Sequence, residues 1–167
     1  MRILRRTGPG DGVALAIGSF DGVHLGHHAM LGHVVEAAAS RGLGAAAVTF
    51  EPLPREFFAP REAPARLSSL QEKLAALAET GIEVAIVERF DSGFASIGAS
   101  EFEERIAHRY RARWVMVGQD FRYGARRRGD VASLEAAGAR LGFEVEVLPA
   151  VMLDGERVSS TRVREAL

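Results

Sequence analysis

Cysteine is absent from the chain, which removes disulfides, thiolate nucleophiles and Cys-ligated zinc and fits a reducing cytoplasm. No apolar run approaches the roughly 18 residues of a membrane-spanning helix. The N-terminal Met1-Arg-Ile-Leu-Arg-Arg-Thr-Gly-Pro-Gly carries basic residues but no apolar stretch of the signal-peptide kind behind them. An excess of charge of either sign is missing too: the formal net charge is −1, too little to draw nucleic acid or an anionic membrane. Neither partner is expected, and any anion site must be local. Repeats, low-complexity tracts and linkers are also lacking, so 167 residues, 47% of them hydrophobic, read as one cytoplasmic domain around one sizeable core.

What is present is an alternation of short apolar runs with longer amphipathic ones, the pattern of an α/β domain with a mainly parallel sheet. Val13–Ile17, Gly44–Phe50, Glu83–Val87, Trp114–Val117 and Phe143–Leu148 read as five strands. Between them the sequence predicts helices from about His27 to Ser40, from a Ser68 or Ser69 cap through Leu70, Leu74 and Leu77, from a Ser100 cap with Glu103 at capping-box distance to Tyr110, and from Asp130 to Leu141. Pro52, Pro54, Pro60 and Pro64 mark an irregular stretch without helix or central strand. Gly118 to Gly129 is a polar loop, and Ser159 opens a final helix. The expected fold is Rossmann-like α/β, a five-stranded sheet with helices on both faces.

Ligands of such sheets bind beyond the carboxyl ends of the strands. There, after the first predicted strand, stands Gly18-Ser-Phe-Asp-Gly-Val-His-Leu-Gly-His27. Its glycines permit tight turning and close approach, and the helix that follows offers free N–H groups and a favourable dipole to an anion. His24 and His27 are three apart, so on one helical turn both imidazoles face the same way and can donate to phosphate oxygens. Metal chelation by the pair is disfavoured, because no third ligand stands at a recognisable spacing. His28 and His33 read as surface or packing residues. Asp21 either braces the turn, the preferred reading, or helps to position Mg²⁺ through water.

The form Gly-x-Phe-Asp-Gly-Val-His-x-Gly-His resembles the signature of the HxGH nucleotidyltransferases and, in this fuller version, of the FAD synthetases, the adenylyltransferase modules of bacterial bifunctional riboflavin kinase/FMN adenylyltransferases. The resemblance covers essentially the whole chain. It implies that His24 and His27 contact the phosphates of ATP and act in catalysis, with Gly18, Phe20 and Gly26 lining the ATP site. Val158-Ser-Ser-Thr-Arg-Val-Arg164 resembles the family's second signature, which adds Ser159, Ser160, Thr161 and Arg164 to the ATP-binding residues; hydroxyls and free amides at a helix start, with an arginine one turn later, suit a polyphosphate.

Two middle blocks complete the likeness. Thr49-Phe-Glu-Pro-Leu-Pro-Arg-Glu-Phe-Phe58 is similar to the family's Phe-x-Pro-x-Pro block, with Leu53 where many members have His. Val117-Gly-Gln-Asp-Phe-Arg-Tyr-Gly124 resembles the loop after its fourth strand, with Tyr123 where Phe is commoner. They imply FMN contacts from Pro54, Asp120, Phe121, Arg122 and Tyr123, and the aromatics of the first block suit a lid over a planar ring. Arg126-Arg-Arg128 is either a solvated loop or a screen for repulsion between two phosphorylated substrates. The implied reaction is in-line adenylyl transfer from ATP to FMN, with Mg²⁺ carried by the phosphates and a riboflavin kinase domain following this one in the full-length protein. Another HxGH transferase with a different acceptor, or a flavin- or nucleotide-binding module without turnover, are the competing readings.

Overall fold

The computed structural model describes residues 1–5 and 11–167; the Gly/Pro break in the N-terminal segment lies outside the described residues. In chain order the strands and principal helices are β1 (Arg2–Leu4), β2 (Val13–Ile17), α1 (Leu25–Arg41), β3 (Gly44–Glu51), α2 (Pro54–Phe58), α3 (Leu70–Glu79), β4 (Val84–Arg89), α4 (Ser92–Ala95), α5 (Ala99–Glu104), β5 (Ala112–Gly118), α6 (Val131–Leu141), β6 (Glu144–Leu148), β7 (Met152–Leu153), β8 (Glu156–Arg157) and α7 (Ser160–Ala166). The main sheet is parallel, in the order β1-β4-β3-β2-β5-β6.

Parallel strands buried on both faces must be apolar throughout, and every residue of β2 is buried. The two faces differ in size. Ala14, Ala16, Ala45, Ala47 and Ala85 face α1 and α3, whose Leu31, Val34, Leu74 and Leu77 pack onto them. Val13, Leu15, Val48, Ile86, Val115 and Val117 face Phe102, Ile106, Tyr110 and Leu134 on the other side. Alanine therefore lets α1 lie close to β2, β3 and β5, while branched residues fill the opposite face beneath the aromatic side chains. Fully buried leucines such as Leu31 and Leu134 each contribute about 1.5–3 kcal/mol relative to exposure.

Several details differ from the sequence expectation. Among the described residues the sheet has six strands, not five, because Arg2–Leu4 adds itself to the free edge of β4; three residues, one of them an arginine, are too short to show a period. A further hairpin, β7–β8, turns at Asp154 (φ 52°) and Gly155 (φ 81°), where the Asp-Gly pair itself is the turn signal. The Pro-rich stretch contains a short helix, since Pro54 occupies a first-turn position where proline is tolerated. The helix placed after Ser100 begins at Ala99 instead, and it runs on as a π-turn over Arg105–Arg109. Glu103 makes no capping box; it is buried and accepts from Tyr123 Oη at 2.7 Å. The caps read at Ser69, Asp130 and Ser159 are present. Among the described residues no helix is long and apolar enough to cross a membrane.

Candidate active site

From β2 the chain passes through α1 to β3 on one side of the sheet, whereas β5, on the other side of β2, leads through α6 to β6. The connections that leave the carboxyl ends of β2 and β5 thus run in opposite directions, and the crevice between them is the position at which open parallel sheets hold ligands. The Gly18–His27 segment and the loop after Gly118 emerge into it.

The turn after β2 is conformationally demanding. Phe20 (φ 51°), Gly22 (φ 80°) and Val23 (φ 32°) all adopt left-handed backbone, and such strain concentrates at functional turns. Only glycine fits at 22, where a Cβ would lie 2.7 Å from Leu67 Cδ1. Phe20 is fully buried and meets the His27 ring edge-on at 5.1 Å. Its side chain therefore supports the site from beneath instead of lining it.

His24 is the N-cap of α1, which starts at Leu25, two residues before the expected start near His27. Its Nδ1 accepts from the backbone N–H of Gly26 at 3.1 Å and of His27 at 3.3 Å, and the Nδ1 of His27 accepts from the N–H of His24 at 3.3 Å. The two rings stack at 3.7 Å with 15° between their planes. A ring whose Nδ1 accepts must carry its hydrogen on Nε2, so this reciprocal cap fixes both tautomers. Among the described residues neither Nε2–H has a protein acceptor. The helix start thus presents two neutral donors. Burial, the nearby imidazoles and Lys73 push His27 down to about 3, and burial first and then His28 lower His24.

A pH prediction follows from that neutrality. Unfolded, His27 takes up a proton near its ordinary value of about 6.5, whereas folded it does so near 3. Between those values the unfolded state binds more protons, so stability falls as the pH drops, by up to about 1.4 kcal/mol per pH unit for one proton. Protonation also breaks the cap, because an imidazolium cannot accept at Nδ1. Urea unfolding at pH 7 and pH 5 should show this loss, and His27→Gln should make it shallower by about one proton; identical slopes in the two proteins would remove His27 as its source.

Asp21 braces the turn, the preferred sequence reading. Its carboxylate accepts from Leu67 N at 2.9 Å and Ser68 N at 3.1 Å and pairs with Arg164, while its carbonyl accepts from Ser160 Oγ at 3.0 Å. Arg164 also donates through Nε to Ala65 O at 2.8 Å. The start of α7, with Ser159 as its cap and Thr161 exposed, is in this way fastened beside the first turn. A Cβ at Gly26 would stand 3.8 Å from the Val158 carbonyl. The two signatures, at opposite ends of the chain, are neighbours in space.

The loop after β5 is brought to the same end of the sheet. Asp120 is exposed and pairs with Arg157 at 2.6 Å, which ties the loop to the β7–β8 hairpin. Arg122 stands 3.8 Å from Asp130. Phe121, half-buried, stacks on Tyr123 at 5.6 Å and 22°. Tyr123 itself is buried, its hydroxyl shared between Glu103 and Ser133, so its side chain belongs to the core and not to the exposed loop wall. From Phe121 a chain of ring contacts runs through Tyr123, Phe102, Phe94 and Phe90 to Phe57 and Phe58 on α2, beside half-buried Pro54. Arg126–Arg128, His28 and His33 are exposed.

Two features escaped the sequence reading. Arg66 is held by Glu51 and Glu56 at 2.5 Å each and keeps the Glu56 carboxyl below its ordinary range, which fastens α2 to the end of β3. Lys73, the one lysine in the sequence, is buried beneath the turn; its rarity was the available signal. Among the described residues no three His, Asp or Glu side chains gather as metal ligands.

A parallel sheet with a histidine-capped helix start at its switch point defines a Rossmann-like α/β domain. The chain belongs to the FAD synthetase family, whose sequence model matches residues 9–162. It is 43% identical over 160 residues to the bifunctional riboflavin kinase/FMN adenylyltransferase of Escherichia coli K12, covering 95% of this chain and 51% of that protein. The Haemophilus influenzae protein of the same name is 43% identical over 158 residues, covering 94% of this chain and 51% of its own length. A putative bifunctional enzyme of Geobacillus thermodenitrificans is 41% identical over 157 residues, 93% of this chain and 83% of that one. The chain thus spans about half the length of the first two relatives. A crystal structure described as a macrolide-efflux protein from Streptococcus pneumoniae shares the fold, with a TM-score of 0.85 at 24% identity over 99% of this chain and 56% of its own.

Proposed function

We propose that this chain transfers AMP from ATP to FMN, giving FAD and pyrophosphate. The observation that carries the reading is the pair of neutral Nε2–H donors fixed by the reciprocal His24/His27 cap at the N-terminus of α1. Such preorganised donors stabilise charge that grows on a phosphoryl group in a transition state. An oxygen of the FMN phosphate attacks the α-phosphorus of ATP in line, the bond from that phosphorus to the bridging oxygen breaks, and pyrophosphate departs with the electron pair. No protein nucleophile is needed, so alignment and charge stabilisation supply the catalysis.

His24 and His27 act on the transferring phosphoryl group. Gly18 and Gly26 let the nucleotide approach the backbone, with Phe20 as the floor. Ser159, Ser160, Thr161 and Arg164 receive the leaving pyrophosphate; Arg164 has five N–H donors and engages two partners in the free protein, which leaves donors for a phosphate. Asp120, Phe121, Arg122 and Pro54 hold FMN, with Tyr123 supporting Phe121 from the core. The ring chain from Phe121 to Phe58 supports a site for a planar isoalloxazine. Mg²⁺ carried on the ATP phosphates would neutralise their charge, while the Asp21 carboxylate is engaged by Arg164 and two amides. The names and lengths of the relatives support an adenylyltransferase module joined, in a longer protein, to a riboflavin kinase domain.

Incubation with ATP, Mg²⁺ and, in separate reactions, FMN, nicotinamide mononucleotide or phosphopantetheine tests the reading. FAD and pyrophosphate should form with FMN alone. Turnover of a different acceptor, or tight FMN binding without pyrophosphate release, would overturn it.

A further inference from the structure

Lys73 is the one lysine in a chain with 21 basic residues, and it is 1% exposed. Placing an ammonium out of water costs several kcal/mol unless partners compensate, and compensation here is slight. Nζ donates to Thr49 Oγ1 at 3.1 Å, and among the described residues it has no other hydrogen bond and no carboxylate within ion-pair reach. The nearest acidic groups are already engaged: Glu51 and Glu56 by Arg66, Asp21 by Arg164. A methionine would fill the same space in α3 without that cost. Stability does not explain the charge.

Its location does. Thr49 Oγ1, fully buried in β3, donates to the carbonyl of Ser19 at 3.0 Å, so the ammonium, Thr49 and the turn after β2 form one chain of contacts. Nζ therefore lies behind the backbone of the turn, on the side away from solvent, and its positive charge is felt at His27. Lysine suits the place better than arginine, because a compact ammonium needs less room than a planar fork.

We propose that Lys73 is a positioning residue for the anionic substrate: bound to Thr49, it sets the Ser19 carbonyl and supplies a water-shielded positive charge behind the phosphate-binding turn. It touches no substrate atom. In a medium less polarisable than water one charge acts over several ångströms with an energy equivalent to about a tenfold change in an equilibrium constant. The inference rests on the adenylyl-transfer reading for its substrate, and the phosphates of ATP, which carry most of the negative charge, are the groups it serves.

The test compares Lys73→Gln, which keeps a donor for Thr49 but removes the charge, with Lys73→Met, which removes both, and Thr49→Val, which keeps the charge and cuts the tie. Steady-state FAD formation and thermal unfolding are measured for each. The KM for ATP should rise about tenfold in both lysine variants, with the KM for FMN changed less than about twofold and the thermal midpoint unchanged or raised. Thr49→Val, which frees the Ser19 carbonyl but keeps the charge, should raise the KM for ATP by an intermediate factor of about threefold. A lower midpoint with unaltered KM for ATP would make Lys73 a structural residue and overturn the proposal. Should Lys73→Met fail to fold, Lys73→Gln decides alone. If the parent protein makes no FAD, the adenylyl-transfer reading fails independently; equilibrium titration with ATP then still judges Lys73, since an unchanged Kd in Lys73→Gln refutes its role and a tenfold weaker one supports it.

Discussion

Replacing His24 with asparagine is expected to lower kcat for FAD formation by about 10²–10³-fold, the cost of removing one preorganised donor from a charge-stabilising site, while shifting the unfolding free energy by less than about 0.5 kcal/mol. The two expectations separate because the imidazole does two things with two nitrogens. Nδ1 caps α1 by accepting from Gly26 and His27; Nε2–H is the donor assigned to the phosphoryl group. Asparagine ranks with the best N-cap residues, so its Oδ1 replaces the first role, while its amide N–H₂ lies nearer the backbone than the imidazole Nε2 and does not reach the same place.

The same logic applies three residues on, where glutamine is the customary partner in a capping box. His27→Gln retains the reciprocal contact to the N–H of residue 24 through Oε1 and exchanges the rigid imidazole donor for a flexible amide N–H₂. Alanine is the poorer probe at either position. It removes cap and donor together and adds about 0.5–2 kcal/mol of destabilisation to any kinetic effect. Kinetics of FAD formation and urea unfolding of His24→Asn decide the matter. A kcat within about threefold of the parent would show that the Nε2–H groups are not what the site uses, whatever the sequence likeness.

Much of this arrangement is local and therefore legible in the chain. Ser69, Asp130 and Ser159 cap helices that begin within a residue of them, the apolar strands β2 to β5 announce themselves by composition, and β6 does so by its alternation of glutamate and valine. The Gly18–His27 turn stands out because its glycines and histidines are close in sequence. What escaped depends on partners far along the chain. Asp21 meets Arg164, 143 residues away, and the amides of Leu67 and Ser68, 46 and 47 residues away. Glu103 leaves its expected capping role for Tyr123. The edge strand β1 exists only because β4 offers it an open side. Even the tautomers of His24 and His27, on which the chemistry turns, follow from backbone geometry that spacing alone does not specify.

Removing the Asp21 carboxylate is the change expected to damage the fold most. In Asp21→Ala the Leu67 and Ser68 amides lose their acceptor, and the Arg164 guanidinium, only 18% exposed at its side chain, loses its counter-charge. Breaking one side of a buried ion pair costs about 3–5 kcal/mol, chiefly because the remaining charge is stranded. The loss should be concentrated where Asp21 joins three segments: the first turn, residues 65–68 and the start of α7, since Ser160 then holds α7 to the turn through the Asp21 carbonyl alone. Hydrogen exchange should accordingly quicken in α7 before it does in β2, and the urea midpoint should fall. Adding Arg164→Met to Asp21→Ala relieves the stranded cation, so the double variant should be more stable than the additive expectation, by about 0.5–3 kcal/mol of coupling. Strict additivity would mean that the two side chains do not act as a pair. A midpoint unchanged in Asp21→Ala, with FAD formation abolished, would instead return Asp21 to the reaction, where it would have to act on the substrate and not on the fold.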